Sequence, residues 1–249
     1  MIEIVVQMFG FQRRLHWMLS GLAQQEAAEE HPVPPLRVRI DTHVDDQYRE
    51  HNAALRSIFG GLLNIQWVEH ADAAFMSRGL LRDKDLQESE ADWLIFSDAD
   101  MVYPPHFLAQ LALGYLDTGQ HNDALLAICR NSPARNAVDA VIETADYSAP
   151  IPDAFAKASA LWSVADGRSS APIGVGYFQM VRRTEALKRG TYCQNARPHD
   201  RPIGKKFGGR SGSDCQFRRG WRIVKIDLPP LLHLRHARNW KGEWKGGIR

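Results

Sequence analysis

A mostly parallel α/β sheet flanked by helices, in a single domain, is the fold this sequence predicts. Three observations carry that expectation. Short apolar runs alternate with segments of helical period through the first hundred residues, in the order β-α-β-α-β-α-β. Such an order favours a Rossmann-like sheet, because parallel strands need crossover connections. Two of the runs end at acidic residues, Asp41 and Asp98, where open α/β sheets bind their ligands. With 249 residues and 44% hydrophobic composition, the chain can bury one large core. No internal repeat or linker divides it.

The elements follow in order. Ile2–Met8 is β-rich and opens the sheet, and Phe9-Gly10-Phe11 turns into a helix over Gln12–Gln25. Leu15, Met18, Leu19 and Leu22 line one face of that helix. Pro32, Pro34 and Pro35 then forbid helix, and Leu36–Ile40 alternates as a strand ending at Asp41-Thr42-His43. Asn52–Leu63 is helical, Ile65–Val68 a short strand, and Ala73–Asp92 contains a helix leading to the strand Trp93–Phe96. Pro104 and Pro105 stop the chain before a helix over Phe107–Leu116, and Ala124–Cys129 is a strand. Residues 131–172 carry weak periodicity and four prolines, which predicts an irregular, partly helical insertion. Gly174–Val181 returns to strand character, Pro202–Gly212 is a Gly-rich basic loop, and Arg222–Ile226 is the last expected strand.

Charge is unevenly placed. Residues 188–249 hold 16 Lys and Arg against 4 Asp and Glu, whereas residues 1–187 hold 15 against 25. The basic quarter would concentrate anionic ligands, or is a solvated face offset by the acidic remainder. Tyr192, Trp221, Trp240 and Trp244 interleave with its cations. That mixture suits a carbohydrate or a polyanion, nucleic acid included, and equally suits simple packing. The three cysteines, Cys129, Cys193 and Cys215, lack metal-ligand spacing and fit reduced thiols of a cytoplasmic protein. No apolar stretch approaches the roughly 20 residues that span a bilayer, and the amino terminus lacks signal-peptide features.

Asp98-Ala99-Asp100 at the exit of Trp93–Phe96 is the most informative motif. Carboxylates there suit Mg²⁺ or Mn²⁺ shared with substrate phosphates, although acidic pairs also serve as caps or solvated turns. Asp214 closes the run Gly208-Gly209-Arg210-Ser211-Gly212-Ser213 ahead of a helix. It can act as an N-cap or as a general base over the site, and the two roles coexist readily. His233 and His236 follow Pro229-Pro230; imidazoles there could complete a mixed O/N metal shell or simply lie on the surface. Gly174 and Gly176 before Tyr177 permit close backbone approach to a sugar or to another strand.

Taken in order, these motifs resemble a GT-A glycosyltransferase, of the family-2-like and β-1,4-galactosyltransferase-like branches. The likeness rests on Asp41, Arg78-Gly79, Asp98-Ala99-Asp100, the Gly-rich strand, Gly212-Ser213-Asp214, Gly220-Trp221-Arg222-Ile223 and His236. The stretches FMSRG at 75–79 and HLRHARN at 233–239 add to it. The resemblance implies that Asp41 contacts the base or ribose, that Arg78 helps hold the nucleotide and that Asp98 lies near ribose and metal. Asp100 and His236, with His233, would be metal ligands, and Asp214 the base of an inverting transfer. Three departures stand out. The loop Gln7–Phe11 lacks the family's Pro and Asn, so that Phe9 or Phe11 would stack on the base instead. Ser213 replaces an acid before Asp214, and Gly220 interrupts the processive Gln-x-x-Arg-Trp signature at Gln216, Arg219 and Trp221.

The sequence therefore predicts a soluble, non-processive hexosyltransferase-like enzyme using Mn²⁺ or Mg²⁺. Its donor would be a nucleoside-diphosphate sugar, UDP-linked foremost, bound by a half spanning residues 1–103. Residues 104–249 would form the acceptor-binding half with the metal-ligand tail. The acceptor would be a saccharide or lipid-linked hydroxyl, with a modified nucleic acid as the alternative. A sugar-phosphate nucleotidyltransferase would need a phosphate loop after the first strand, where Gly10 stands alone. A non-catalytic module would lose ligands or base first.

Overall fold

The computed structural model describes residues 1–28, 31–71, 75, 78–164, 168–170, 177–190 and 220–236. Its centre is a seven-stranded sheet in the order β10-β6-β9-β4-β1-β2-β3. The strands are β1 (Ile2–Gln7), β2 (Leu36–His43), β3 (Ile65–His70), β4 (Trp93–Ser97), β6 (Ala124–Ala127), β9 (Phe178–Arg182) and β10 (Arg222–Lys225). All pair in parallel except β9, which runs against both β4 and β6. The mostly parallel α/β sheet expected from the sequence is therefore present, flanked by helices.

Strand β4 is buried along its length, as its unbroken apolar run requires of a strand covered on both faces. The chain winds outward from β1 to β2 and β3, then returns to place β4 on the other side of β1. The strand order thus reverses between β1 and β4. Register sets Gln7 beside Asp41, His43 beside His70 and Val6 beside Ser97. The carboxyl ends of these four strands share one edge, and a crevice at such a reversal is where open α/β sheets bind ligands.

Helix α1 (Gln12–Ala23) packs its Leu15, Met18, Leu19 and Leu22 into the main core with Ile4, Val6 and Met101. Helices α2 (Glu50–Phe59) and α3 (Arg78–Glu88) connect the next strands. The helix expected over Phe107–Leu116 is α4 (Phe107–Leu111) followed by a π-helical turn, Ala112–Leu116.

Two features differ from the expectation. Within the 131–172 insertion, expected to be partly helical but with no helix placed, the described residues form helices α5 (Arg135–Thr144) and α6 (Ala154–Val164). The small residues of α6 blur its stripe, yet Ala154 and Ala158 are buried against a cluster containing Val138, Ile142 and Leu232. The second difference is a smaller sheet, β5-β11-β7-β8, from β5 (Met101–Val102), β7 (Arg130–Ser132), β8 (Arg168–Ser170) and β11 (Leu231–His233). Strands of two and three residues are too short to leave a readable alternation. Helix α7 (Arg183–Arg189) follows β9 directly. No helix among the described residues is long and apolar enough to cross a membrane.

Candidate active site

The small sheet explains how the tail reaches the Asp98-Ala99-Asp100 turn. Strand β11 pairs antiparallel with β5, which sets His233 beside Met101, and the Leu234 amide donates to the Asp100 carbonyl at 2.8 Å. Three side chains then converge. His233 Nε2 lies 2.9 Å and His236 Nε2 3.3 Å from Asp100 Oδ2. One ligand atom from each of Asp100, His233 and His236 falls within 4.8 Å of the others, the group of potential metal ligands found among the described residues. Ligands held about 2.1 Å from a metal at right angles are about 3 Å apart, so this spacing fits a shared cation.

The chemistry of the donors agrees. Asp100 is buried, and its Oδ1 has no hydrogen-bond partner among the described residues. Such an orphaned buried oxygen calls for a cation or a proton. Burial pushes the Asp100 carboxyl up, but the imidazoles of His233 and His236 outweigh it and hold the group well below the usual carboxylate range. His233 Nδ1 is hydrogen-bonded to Ser132 Oγ at 3.0 Å, which leaves Nε2 as the ligand nitrogen. Ser97 and Tyr103 brace the turn from below: Tyr103 Oη–H donates to Ser97 Oγ at 2.9 Å.

Asp98 takes other company. Its carboxylate is 30% exposed and pairs with Arg78 Nη2 at 3.4 Å, from the first position of α3. Arg78 and Asp98 therefore stand together at the turn after β4, with Ala99 between Asp98 and the Asp100 cluster.

At the ends of β1 and β2 the structure collects rings. Phe9 lies 6.3 Å from Phe75 and 6.4 Å from His43, centroid to centroid. Phe75 in turn neighbours His43 at 5.2 Å and His70 at 5.6 Å. Gln7 Nε2 donates to the Phe75 carbonyl and ties this corner to β1. Gly10 adopts φ 71°, a conformation glycine reaches freely, and its amide donates to buried Asp46 at 2.8 Å. Asp46 also accepts from Gln12 Nε2 and the Tyr48 amide, so it pins the β1–α1 turn to the loop after β2.

Asp41 is fully buried. Its Oδ1 accepts from His70 Nε2 at 2.7 Å and Arg39 Nε at 3.3 Å, while Oδ2 has no hydrogen-bond partner among the described residues. Its first service is to hold His70 beside Phe75. Arg39 also approaches Asp85 at 3.1 Å and Glu88 at 2.8 Å. Burial first, then the charge of Asp41, pushes the Asp85 carboxyl well above its ordinary value despite Arg39.

Of the residues singled out in the sequence, Asp100, His233 and His236 are brought together, Arg78 joins Asp98, and Phe9 joins the ring cluster. Asp214 lies outside the described residues, as do Gly174, Gly176, Tyr192, Trp240, Trp244 and the 202–212 loop. Ser132, Asp46 and Arg14 are contributors that no motif announces. His43 and Phe75 each carried a signal without a role, His43 at a strand's carboxyl end and Phe75 at the head of FMSRG.

No protein family matches the sequence, and neither does any curated protein. The structure does have solved counterparts. S. aureus TarS residues 1–349 superpose on 93% of this chain with a TM-score of 0.56 at 11% identity. The same TarS fragment in complex with UDP gives 0.56 at 13% identity, and a structure of S. aureus TarS gives 0.53 at 12%. The fold is the GT-A fold. The chain spans 60% of the 1–349 fragment and 36% of the TarS chain. On the GT-A sheet, the Asp100–His233–His236 cluster and the Arg78–Asp98 pair lie at the turn after β4, and the rings at the carboxyl ends of β1, β2 and β3.

Proposed function

We propose that the protein is a metal-dependent glycosyltransferase acting on a nucleoside-diphosphate sugar, UDP-linked foremost. The observation that carries this reading is the convergence of Asp100, His233 and His236 at the strand-order reversal of a GT-A sheet. Residues 1–103 serve the donor and residues 104–249 the acceptor. The UDP held by one TarS structure supports the choice of donor.

Asp100, His233 and His236 would hold a divalent cation. When bound, it supplies charge neutralisation for the departing diphosphate. Arg78, held at the crevice by Asp98, adds a fixed positive charge to the same phosphates. Asp98 serves the ribose. Phe9, with His43 and Phe75, offers the base a stacking surface, and Asp41 serves that pocket through His70. Asp214 takes the proton of the acceptor hydroxyl as its oxygen attacks the anomeric carbon opposite the diphosphate. The new C–O bond forms as the bond to phosphate breaks, so configuration inverts. One sugar is added per encounter. The acceptor is a saccharide or lipid-linked hydroxyl, drawn in by the basic 188–249 segment.

The test is nucleotide release from UDP-glucose, UDP-galactose, UDP-N-acetylglucosamine and GDP-mannose, with Mn²⁺ or with chelator. Metal-dependent release from one donor, lost in Asp100→Ala, is expected. No release from any sugar nucleotide would sink the assignment. Asp214→Asn should keep nucleotide binding and lose transfer; retained transfer removes Asp214 from the base role.

A further inference from the structure

We propose that Arg14 is a positioning residue, a clasp on helix α1 that holds the 233–236 tail in place and thereby sets the affinity of the Asp100–His233–His236 centre. The inference rests on the metal reading above. Arg14 is 2% exposed, and a buried guanidinium persists only where its donors are met. Here they are met by the tail. Nε donates to the Leu234 carbonyl at 2.9 Å, and Nη2 donates to the Arg235 carbonyl at 3.0 Å and to Asp139 Oδ1 at 2.9 Å.

Those two carbonyls lie between the two ligand histidines. The histidines have different supports. His233 ends β11, where ladder pairing with β5 and the Ser132 hydroxyl fix it. Beyond it the Leu234 amide makes its bond to the Asp100 carbonyl, and residues 234–236 have no regular secondary structure. The start of α1 adds to that hold: Arg14 grips their backbone, and the ring of Phe11, the residue before α1, packs edge-on against His236 at 4.6 Å. Asp139 of α5 fixes the guanidinium from the insertion side and is itself paired with Arg135 at 3.0 Å. The clasp therefore links the acceptor-side helix α5 to the metal ligands. Without it His233 stays and His236 drifts, and the centre falls from three protein ligands to two.

The experiment is Co²⁺ binding followed by its visible absorption and by calorimetry, on wild type, Arg14→Gln, His236→Ala and the double variant, all at temperatures where each is folded. The wild type should bind one Co²⁺. Arg14→Gln should weaken binding by about 10–100-fold, the range for residues that orient metal ligands. The double variant should be no weaker than His236→Ala alone, because Arg14 acts through His236. Unchanged affinity in Arg14→Gln, or losses that multiply in the double variant, would overturn the clasp. A wild type that binds no Co²⁺ or Mn²⁺ would overturn the metal reading and the clasp with it. Where Arg14→Gln does not fold, Arg14→Lys goes through the same cycle and decides by the same criterion, since one ammonium cannot span both carbonyls and Asp139.

Discussion

Asp100 is buried, with its Oδ2 facing two imidazoles and its Oδ1 lacking a hydrogen-bond partner among the described residues, and these neighbours decide which cation it takes. Imidazole suits first-row transition ions, whereas Mg²⁺ prefers oxygen ligands and retained water. The protein should therefore bind Mn²⁺ or Co²⁺ at least about tenfold more tightly than Mg²⁺, which competition calorimetry reads directly. Equal affinities would contradict a role for the histidines. Ser132→Ala removes the bond that orients His233 and should cost about 10–100-fold in Mn²⁺ affinity while leaving the melting temperature nearly unchanged. At this scale the three side chains that converge, Asp100, His233 and His236, were legible, because Asp and His at element ends are residue types that can hold a metal. Arg14 and Ser132 were not. A hydroxyl or guanidinium that acts through backbone carbonyls or another ring has no spacing of its own to read.

Strands β5 and β11 are the elements that assemble the centre, and α1 packs tightly across the first of them. A Cβ on Gly21 would lie 3.1 Å from Val102 Cγ1 and 3.4 Å from the Tyr103 backbone. Gly21→Ala sets that squeeze against a gain in helix propensity of about 1 kcal/mol, and should leave stability within about 1 kcal/mol of wild type. Gly21→Leu has no such compensation and should cost about 1–3 kcal/mol in urea denaturation. A Gly21→Leu variant as stable as Gly21→Ala would show that the packing is loose. The α3–β2 charge network makes a separate prediction. Burial, followed by the Asp41 charge, raises Asp85, so the folded state holds its proton above the pH at which the unfolded chain releases it. Asp85 therefore favours folding at pH below its ordinary range, and that contribution is lost as pH rises through the raised value. Asp85→Asn should flatten the fall of melting temperature as pH rises above the ordinary carboxylate range, read by thermal melts across pH. An unchanged slope would contradict a raised Asp85. The long elements were readable from periodicity; β5 and β11 were not, since two or three residues acquire meaning only from the partners they pair with.

Across the whole molecule, the alternation of elements pointed to a mostly parallel sheet, but not to its order. The reversal between β1 and β4 arises from long-range pairing, and it alone puts the end of β1 beside the Asp98-Ala99-Asp100 turn. The antiparallel β9 between β4 and β6 was likewise invisible, because its apolar run reads the same in either direction. Asp41 shows the limit from the other side: its place at a strand end was evident, its burial under His70 and Arg39 was not. A nucleoside diphosphate bound through a metal held by Asp100, His233 and His236 is the step on which the proposed function turns. Calorimetry of UDP with and without Mn²⁺, on wild type and Asp100→Ala, tests it most directly. Mn²⁺-dependent UDP binding by the wild type is expected, weakened by at least about tenfold in Asp100→Ala. UDP binding that ignores both Mn²⁺ and the substitution, or no binding at all, would contradict it.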